Sequence, residues 1–575
     1  MERHEQRVVR FLSQPSAYPH PSGPVDHRET HVSHVFLAGD FAYKLKKPVR
    51  FPFLDASTLA LRKRFCLLEL SLNRRLAPTI YLGIMPVVET SAGLRLGGRG
   101  RVIEWLVKMR RLPEGRMLDQ LVARRRVTSS DMDRLMARLV PFFRRAARSA
   151  AIDRYGRPDA VAELVLGNLR ECQPFVESHG HTRGTESRAK GSGSARNPSR
   201  GIGTLLHETD RAFLDAAYRQ FLALHEPLLA RRVREHRIID GHGDLRCENI
   251  CMWSPSAMLR GEILSKAKGR VEGTNDVSIF DCVEFQPAFR CGDLVNDFSF
   301  LVMDLEFRGQ DTLARRLIGD YQRTLRDSTF PTMLPLYECH RSLVRGKVRG
   351  FAWLQHPDTA EGRRIRTLSR RHFQRAVRYA RVFAPPRLVV IGGLIGSGKS
   401  TLAESLSQAL GAVWLRSDEI RLTEFAHTRQ RRGRGEGFAE GLYAPRISER
   451  VYQRIMQRTR NALRRGSSVV CDGTFSKAEG RETLRRIAAQ SVASFHFIEC
   501  VIPRAVALRR IAARLAAQRD ISEARPEHYD RLKAGVEPVH GWSAREWTRL
   551  SDNRQPEATF RAALDTLRRA WQIPR

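Results

Sequence analysis

Hydrophobic and polar positions alternate in the segment HVFLAGDFAYKLKKPV, which spans residues 34–49. An alternation of period two, interrupted by a turn near Gly39 and Asp40, predicts a β-hairpin. Beyond it, the apolar spacing predicts helices at about 57–76, 130–150, 160–177 and 207–233, short strands near 237–240 and 277–281, and mainly helix over 293–380. The pattern indicates a small sheet-rich lobe followed by a larger helical lobe.

The pattern changes after residue 387, where apolar strands alternate regularly with helices. The strands are predicted near 388–392, 412–415, 467–471 and 495–501. An alternating β and α order favours a parallel sheet. The segment FAPPR at 383–387 precedes the first of these strands, and consecutive prolines disfavour helix. We therefore predict one domain over 1–382 and a second over 386–575.

Two stretches lack the apolar positions needed for a core. Residues 180–204 are rich in Gly, Ser and Arg, a composition that predicts a disordered insert. Residues 257–276 contain SKAKGRVEGTND and are predicted to form an extended loop between two strands.

Composition excludes several classes of protein. The chain has 575 residues, 42% of them hydrophobic, which is enough for more than one core. No run approaches the roughly 20 apolar residues that span a bilayer, and the N-terminal segment lacks the apolar block of a secretory signal. The nine cysteines are scattered without zinc-ligand spacing. These features predict a cytoplasmic protein with reduced thiols and no membrane partner.

The formal net charge of +37 is the strongest compositional signal. Such a charge attracts phosphates and nucleic acid. The arginines are spread over both halves and form no single stripe with interleaved aromatic residues, as a composition bias would also produce. A nucleic-acid partner is therefore the alternative to a small-molecule partner.

The most specific motif is the sequence GLIGSGKS at 393–400, which matches GxxxxGK[ST] between an apolar strand and a helix. Its glycines let backbone N–H groups surround a phosphate, while Lys399 neutralises phosphate oxygens and Ser400 helps to hold Mg²⁺. The motif predicts ATP binding by Gly393, Gly396, Ser397, Gly398, Lys399, Ser400 and Thr401.

Two carboxylates follow later strands of this predicted sheet. Asp418 comes directly after the second strand and Asp472 ends a later one. Strand ends of an open parallel sheet surround the ligand crevice. One of the two carboxylates, Asp418 or Asp472, would hold Mg²⁺, and the other would accept a proton from a substrate hydroxyl.

This C-terminal segment resembles the small P-loop kinases of the gluconate kinase, polynucleotide kinase and zeta-toxin type. The resemblance covers roughly 386–560 and rests on the phosphate loop, SDEIR at 417–421 and VVCDGTF at 469–475. It implies Asp418 as the base and Arg421 as a substrate clamp. A later Arg-rich helix resembles the lid of these kinases, with Arg509, Arg510, Arg514 and Arg519 as candidate lid residues.

A second motif, HGDLRCEN at 242–249, keeps the D-x-x-x-x-N spacing of the protein-kinase catalytic loop. Asp244 would accept or orient the acceptor hydroxyl, and Asn249 would reach a metal from the same loop. An apolar strand then ends in Asp281, which matches the metal-binding Asp that follows the loop in kinases. The base, the Asn and the second Asp come in kinase order.

Upstream of this loop, the hairpin strand supplies a lysine for the ATP phosphates. Lys44 and Lys46 lie two residues apart and so share one face of the strand, and the pattern leaves open which of them is used. Glu69, on the following helix, is the candidate partner of that lysine.

The motif HGDL-x-x-x-N resembles the aminoglycoside phosphotransferase and choline kinase superfamily, over roughly 30–380. That resemblance implies a hinge between lobes at 107–118 and structural roles for Asp293 and Asp297. The two halves together resemble a family of bacterial two-domain proteins that join an aminoglycoside phosphotransferase-like domain to an ATP-binding domain. The implied fold is an α+β protein-kinase-like bilobal domain followed by an α/β P-loop NTPase domain with a parallel sheet.

The expected function is ATP- and Mg²⁺-dependent phosphotransfer at two modules, with a small-molecule hydroxyl as acceptor. The fold alone does not specify an aminoglycoside substrate. One alternative is a polynucleotide 5′-hydroxyl kinase in the C-terminal domain. Another is a nucleotide-gated regulatory protein without small-molecule turnover.

Overall fold

A computed structural model describes residues 2–51, 54–176, 204–252, 277–425, 444–517, 526–551 and 555–574. The inserts predicted at 180–204 and 257–276 lie outside the described residues, apart from Thr204.

The chain divides into two compact units. The first unit comprises Met1–Ala160 and Arg232–Arg341, and the second comprises Val161–Arg231 and Ser342–Arg575. Helices that precede residue 383 in the sequence therefore cluster with the C-terminal sheet. The domain boundary at 383–387 remains a prediction.

The strands of the described residues are numbered in chain order. They are β1 Asp26–Glu29, β2 Ser33–Ala38, β3 Phe41–Lys46, β4 Arg50–Phe51, β5 Leu54–Asp55, β6 Tyr81–Thr90, β7 Gly93–Leu96, β8 Arg101–Arg110, β9 Ile238–Asp240, β10 Ile250–Met252, β11 Val277–Ile279, β12 Cys291–Asp293, β13 Arg387–Gly393, β14 Val413–Arg416, β15 Val469–Asp472, β16 Ser494–Val501 and β17 Trp547–Ser551.

The α-helices are numbered in the same way. They are α1 Glu2–Leu12, α2 Leu59–Arg74, α3 Leu118–Ala123, α4 Ser129–Arg145, α5 Ala150–Asp153, α6 Pro158–Arg170, α7 Glu208–Arg234, α8 Pro287–Arg290, α9 Leu294–Phe307, α10 Asp311–Leu325, α11 Phe330–Gln355, α12 Ala360–Phe383, α13 Lys399–Ala409, α14 Ser417–Phe425, α15 Pro445–Arg464, α16 Ala478–Gln490, α17 Arg504–Ala517, α18 Tyr529–Ala534 and α19 Pro556–Ala570.

The first unit contains a six-stranded sheet in the order β1-β2-β3-β8-β6-β7, in which every neighbouring pair is antiparallel. The predicted hairpin is confirmed, because β2 and β3 pair with Ala38 opposite Phe41. Helix α2 begins after Thr58, whose hydroxyl accepts a hydrogen bond from the Leu61 N–H at 3.3 Å and so caps the helix. Cys66 of this helix is buried against Val107 of β8.

The helical part of the first unit carries two short antiparallel strand pairs. Strand β9 pairs with β12, and β10 pairs with β11 so that Ile250 faces Ile279. A 3₁₀ turn at Cys247–Asn249 leads directly into β10. The loop between β9 and β10 and the segment after β11 are thereby held side by side.

The second unit contains a five-stranded parallel sheet in the order β14-β15-β13-β16-β17. The parallel sheet predicted from the alternation of strands and helices is therefore confirmed. One face of the sheet packs on α15 and α16, and the other packs on α13 and α19. Leu224 of α7 joins this second cluster, and the Gln220 side chain donates to Pro385 O at 2.9 Å.

The sequence pattern missed β1, the short strands β4, β5, β10 and β12, and the strands β6, β7, β8 and β17. Strand β6 contains Gly83 and Pro86, which weaken a strand pattern because glycine packs no side chain and proline donates no ladder hydrogen bond. Two expected boundaries also differ. Residues 107–110 of the predicted hinge belong to β8, and the helix expected at 160–177 ends at Arg170, before a short 3₁₀ turn that contains Pro174.

Candidate nucleotide and catalytic sites

In the first unit, Lys44 joins the two carboxylates that the sequence places in kinase order. Its Nζ donates to Glu69 Oε1 at 2.9 Å and to Asp281 Oδ1 at 2.7 Å. Glu69 is fully buried, whereas the Asp281 side chain is 46% exposed. The three groups come from β3, α2 and the segment after β11, so only the folded chain brings them together. The pair of Lys44 with Asp281 spans 237 positions of sequence.

Electrostatics keeps this cluster charged. Burial acts to raise the pKa of Glu69, but Lys44 and Lys46 outweigh it and hold that pKa below its ordinary value. Lys44 lowers the pKa of Asp281 in the same way. Burial lowers the pKa of Lys44, yet Asp281 and Glu69 raise it well above the ordinary lysine value. The lysine therefore carries its positive charge at neutral pH.

Lys46 has different partners from Lys44. Its Nζ contacts both Glu69 and Glu284, and its side chain is 5% exposed, against 14% for Lys44. Burial raises the pKa of Glu284 despite this lysine. The geometry thus distinguishes the two lysines: Lys44 reaches the exposed carboxylate of Asp281, whereas Lys46 stays within a buried pair.

The loop after β9 places Asp244 and Asn249 in contact. The Asn249 side-chain amide donates to Asp244 O at 2.9 Å and to Asp244 Oδ2 at 2.8 Å. The backbone of this loop meets the segment of the second aspartate, because the Phe280 N–H donates to Asn249 O at 3.0 Å. Asp281 itself has a φ of 62°, in the left-handed region that a non-glycine residue seldom adopts.

Asp297 holds the backbone of this loop. Its two carboxylate oxygens accept from the N–H groups of His242 and Gly243, both at 2.7 Å. Asp293 begins the same helix, α9, by accepting from the Val295 N–H, and it also pairs with the buried guanidinium of Arg232. Both aspartates thus make the kind of structural contact that the resemblance implies for them.

Sequence reasoning missed Arg246 and Glu284. The Arg246 guanidinium contacts both oxygens of Asp244, with Nε to Oδ1 at 2.7 Å and Nη2 to Oδ2 at 2.8 Å. A bidentate pair of this kind fixes the orientation of the carboxylate. The available signal was position: Arg246 lies two residues after the candidate base, and Glu284 lies three residues after Asp281.

In the second unit, the loop at 393–400 turns between β13 and α13. Gly393, Gly396 and Gly398 have φ values of 138°, 78° and 84°. A Cβ atom at Gly393 would lie 2.3 Å from Cys500 O, and one at Gly396 would lie 2.8 Å from Ala507 O. Both positions therefore require glycine, which leaves the backbone N–H groups of the loop free of side-chain cover.

Two polar groups of this loop bear on ligand binding. The Ser397 hydroxyl is buried without a hydrogen-bond partner among the described residues. The Lys399 ammonium donates to Leu394 O, within its own loop, at 2.9 Å. Ser400 and Thr401 lie in the first turn of α13, which begins at Lys399.

Asp472 lies at the end of β15, next to the phosphate-loop strand, where it pairs in register with Ile391. The nearby Ser400 hydroxyl acts to lower the pKa of its carboxylate, and Arg416 Nε lies 3.9 Å from Asp472 Oδ2. Burial raises the pKa of Asp472, and the nearby Lys399 only partly opposes this. Ser400 and Asp472, the candidate ligands of Mg²⁺ in this unit, thus lie near each other.

Asp418 and Arg421 lie in α14, which follows β14 directly. The Asp418 charge acts to raise the pKa of Asp472, which is consistent with a position at the same strand ends. Arg421 is buried, and its Nη1 donates to Ser448 Oγ at 3.1 Å. The fold brings both predicted residues to the edge of the sheet that carries the phosphate loop.

The predicted lid corresponds in part to α17. Ala507 and Ile511 of this helix are buried with Leu394 and Ile395 of the phosphate loop. Arg509, Arg510 and Arg514 lie on α17, whereas Arg519 lies outside the described residues. The contact of any lid arginine with a phosphate remains a prediction.

We expect an Asp472→Asn variant to be more stable than the wild type by about 0.5–2 kcal/mol, because it removes a buried carboxylate whose charged form burial disfavours. The raised pKa of Asp472 means that its ionisation opposes folding, and this effect grows as the pH rises through the folded-state pKa. The gain should be visible in urea unfolding at pH 8 and should vanish well below pH 4, the approximate pKa of an unfolded aspartate.

The exposed Glu557→Gln provides a matched control for this carboxylate-to-amide change, with no expected gain. A destabilised Asp472→Asn protein at pH 8 would show that contacts with Ser400 and Arg416 outweigh the cost of burying the charge.

The described residues contain neither a cluster of metal-binding side chains nor a membrane-spanning helix. No group of three or more His, Cys, Asp or Glu side chains is arranged to hold a metal ion. No helix in the same part of the chain is long and apolar enough to cross a membrane.

Comparison with known proteins shows relatives of nearly the same length. The chain is 30% identical over 513 residues to the uncharacterized protein Rv2004c of Mycobacterium tuberculosis, a match that covers 88% of this chain and 89% of that protein. The uncharacterized protein Mb2027c of Mycobacterium bovis matches with the same identity and coverage. The chain belongs to the family of these mycobacterial proteins.

Residues 388–539 of this chain match a family model described as an AAA domain. The matched range begins in β13 and includes the phosphate loop, Asp418 and Asp472. The C-terminal region therefore has a P-loop fold built on a parallel sheet.

Solved structures similar to parts of the chain include two small-molecule kinases. A gluconokinase from Sinorhizobium meliloti 1021 is 18% identical, with coverage of 33% of this chain and 95% of that chain and a TM-score of 0.25. The APS kinase CysC of Mycobacterium tuberculosis, in complex with AMPPNP and APS, is 20% identical, with coverage of 32% and 98% and a TM-score of 0.24.

Proposed function

We propose that the protein is an ATP- and Mg²⁺-dependent phosphotransferase that carries two phosphotransfer sites. The observation that carries the proposal is the proximity of Ser400, in the phosphate loop, to Asp472 on the neighbouring strand. A hydroxyl and a carboxylate beside a glycine-built loop match the parts that P-loop enzymes use for a nucleotide and its metal.

The donor groups at this site fit the proposed ligands. The loop glycines leave room for a phosphate, and the unpartnered Ser397 hydroxyl lies within the same loop. Ser400 and Asp472 offer the oxygen ligands that Mg²⁺ prefers, and Mg²⁺, when bound, neutralises charge on the phosphate oxygens. Lys399 would contact the β- and γ-phosphates after exchanging its contact with Leu394 O for a phosphate oxygen.

The acceptor side of the second unit is assigned to Asp418 and Arg421. Asp418 would accept the proton of the acceptor hydroxyl, and Arg421 would position the acceptor. Arg514 of α17 is proposed as a contact for the transferred phosphoryl group, since that helix packs on the phosphate loop. The acceptor class is a small molecule with a free hydroxyl.

The first unit is proposed to hold the other site, within a protein-kinase-like fold of the aminoglycoside phosphotransferase type. The support is the contact of Lys44 with both Glu69 and Asp281, together with the contact of Asn249 with Asp244. Lys44 would bind phosphate oxygens, and Asn249 and Asp281 would hold Mg²⁺. Asp244 would take the acceptor proton, after Arg246 has released one of its oxygens.

The polynucleotide 5′-hydroxyl kinase is the second candidate for the C-terminal site, and the net charge of +37 favours it. An oligonucleotide held by contacts to its phosphates would bind with a steep salt dependence, whereas an uncharged polyol would not. The two acceptor classes can therefore be separated by measurement.

The test is ATP turnover by the full chain across sugars, polyols, aminoglycosides and 5′-hydroxyl oligonucleotides. Turnover on a polyol or sugar is expected, and the product should carry the γ-phosphoryl group of ATP. Turnover on oligonucleotides alone would replace the first candidate by the second. ATP binding without turnover on any acceptor would reject both in favour of a nucleotide-gated regulatory protein.

A further inference from the structure

A cleft of about 600 Å³ lies entirely within the first unit, and five arginines line it. Its volume is that of a site for a small ligand, since such sites enclose about 300–1,000 Å³. We call it the arginine cleft and define it by the charged residues of its lining: Arg144, Arg148, Arg237, Arg323, Arg326 and Glu235.

The arginine cleft is separate from the candidate catalytic loop. Arg237 precedes β9 and Asp244 follows it, so the strand lies between them. At the end of β9 that is nearer the cleft, Ile238 pairs with Asp293, and the Leu294 N–H donates to Arg237 O at 3.0 Å. At the other end, Asp240 pairs with Cys291 just before the loop begins. A ligand in the cleft would not occupy the phosphotransfer site.

Two of the arginines contact backbone carbonyls and no carboxylate of the described residues. The Arg148 guanidinium donates to four carbonyls, including His236 O at 2.9 Å and Phe143 O at 2.7 Å. Arg144 Nη2 donates to Thr324 O at 3.0 Å. Burial, together with the nearby Arg237, lowers the pKa of Arg148. These side chains are held in place while their positive charge stays uncompensated.

The other three arginines leave donor capacity in the cleft. Arg237 Nε is buried without a hydrogen bond among the described residues, and Glu235 Oε2 lies 3.9 Å from it. The exposed Arg323 pairs with Asp320. The side chain of Arg326 makes no hydrogen bond or ion pair within the described ranges.

A purely structural explanation does not account for the charge. Helices α4, α7 and α10 all end at this cleft, and a helix C-terminus attracts arginine because it carries about half a negative charge. Glu235, Asp320 and three such helix ends offset about 3.5 of the five guanidinium charges, and Asp327, whose pKa Arg237 lowers, is shared with Arg232. The cleft therefore holds more positive charge than the helix ends need.

Backbone strain occurs at the same place. His236 has a φ of 55° and Arg326 a φ of 47°, and both residues line the cleft. Helices commonly end on a left-handed residue, but glycine or asparagine usually occupies that position. A bulky side chain at both ends costs backbone energy, and at Arg326 it places a guanidinium group at the cleft.

We infer that the arginine cleft binds a small ligand that carries two or more phosphate groups. Guanidinium groups match phosphate oxygens in geometry as well as in charge, and a polyphosphate can engage several of them at once. The inference does not depend on the proposed phosphotransfer activity.

The probe is inorganic tripolyphosphate, titrated into the full chain by calorimetry. All proteins carry Lys399→Ala, so that the phosphate loop does not contribute to the heat. The test variant is Arg323→Gln/Arg326→Gln, in which both changed side chains are exposed. We expect at least about tenfold weaker binding, because charge-assisted hydrogen bonds to phosphate are lost.

The matched control is Arg95→Gln/Arg99→Gln, which removes the same charge from exposed positions of β7 and of the bend that follows it. It should leave the affinity within about twofold, as expected for exposed charges away from the site. Equal weakening by both double variants would overturn the inference, because it would show a net-charge effect only. Absence of tripolyphosphate binding, or equally tight binding of citrate, would also overturn it. Thermal melting establishes that each variant is folded.

Discussion

Replacing Lys399 with alanine is expected to lower phosphotransfer by the second unit by about 10²–10³-fold, the usual effect of removing one electrostatic stabiliser from a reacting centre. The ammonium group lies in the phosphate loop, 2.9 Å from Leu394 O, and near the buried Asp472. Without it, the β- and γ-phosphate oxygens would lose the lysine charge that the proposed function places against them. The measurement is kcat/KM for ATP with the acceptor that the panel identifies.

The exposed Lys477→Ala is the matched control, because it removes a lysine of the same unit that pairs with Glu537. Its activity should stay close to that of the wild type. If Lys399→Ala retained both ATP binding and turnover on every acceptor, the phosphate loop would not be the site of transfer.

The second large effect is expected at Lys44, with Lys46 as its internal comparison. Lys44→Met should lower the activity of the first unit by about 10²–10³-fold, because Asp281 and the phosphates would lose their shared cation. The activity is assigned to this unit by its loss in Asp244→Asn, since a general base contributes about 10²–10⁴-fold. The measurement is again kcat/KM for ATP.

Replacing Lys46 is expected to lower the free energy of unfolding rather than the activity. Lys46→Met leaves Glu284 buried without its lysine, and breaking such a pair costs about 3–5 kcal/mol. The double variant Lys46→Met/Glu284→Gln removes both charges and should recover most of that loss, with activity within about tenfold of the wild type. A double variant that is stable but as inactive as Lys44→Met would assign the phosphate contact to Lys46.

The sequence pattern predicted much of the local structure. The hairpin of β2 and β3, the phosphate loop between β13 and α13, and the parallel order of the C-terminal strands all follow from short-range periodicity and glycine placement. These features depend on residues within a few positions of one another. Strand β6 escaped detection because Pro86 and Gly83 break its pattern, and its stability comes from pairing with β8.

The candidate site of the first unit is built from residues that lie far apart in the sequence. The order of the motifs along the chain assigned one predicted site to Lys44, Glu69, Asp244, Asn249 and Asp281. In the structure, Lys44 Nζ lies 2.7 Å from Asp281 Oδ1. The role of Asp297 in holding the candidate catalytic loop could not be predicted from sequence spacing, because its partners are backbone N–H groups more than 50 residues away.

The sequence by itself determined the β2–β3 hairpin, the parallel C-terminal sheet and the phosphate loop, because neighbouring residues encode each of them, and the order of the motifs identified the candidate catalytic residues. Only the tertiary structure decided which lysine meets Asp281 and which meets Glu284, since both lysines share one strand face and differ only in what packs above them. It also assembled the arginine cleft from segments around residues 144, 237 and 326. Contacts between distant segments form when the chain buries its core, and no local pattern encodes them.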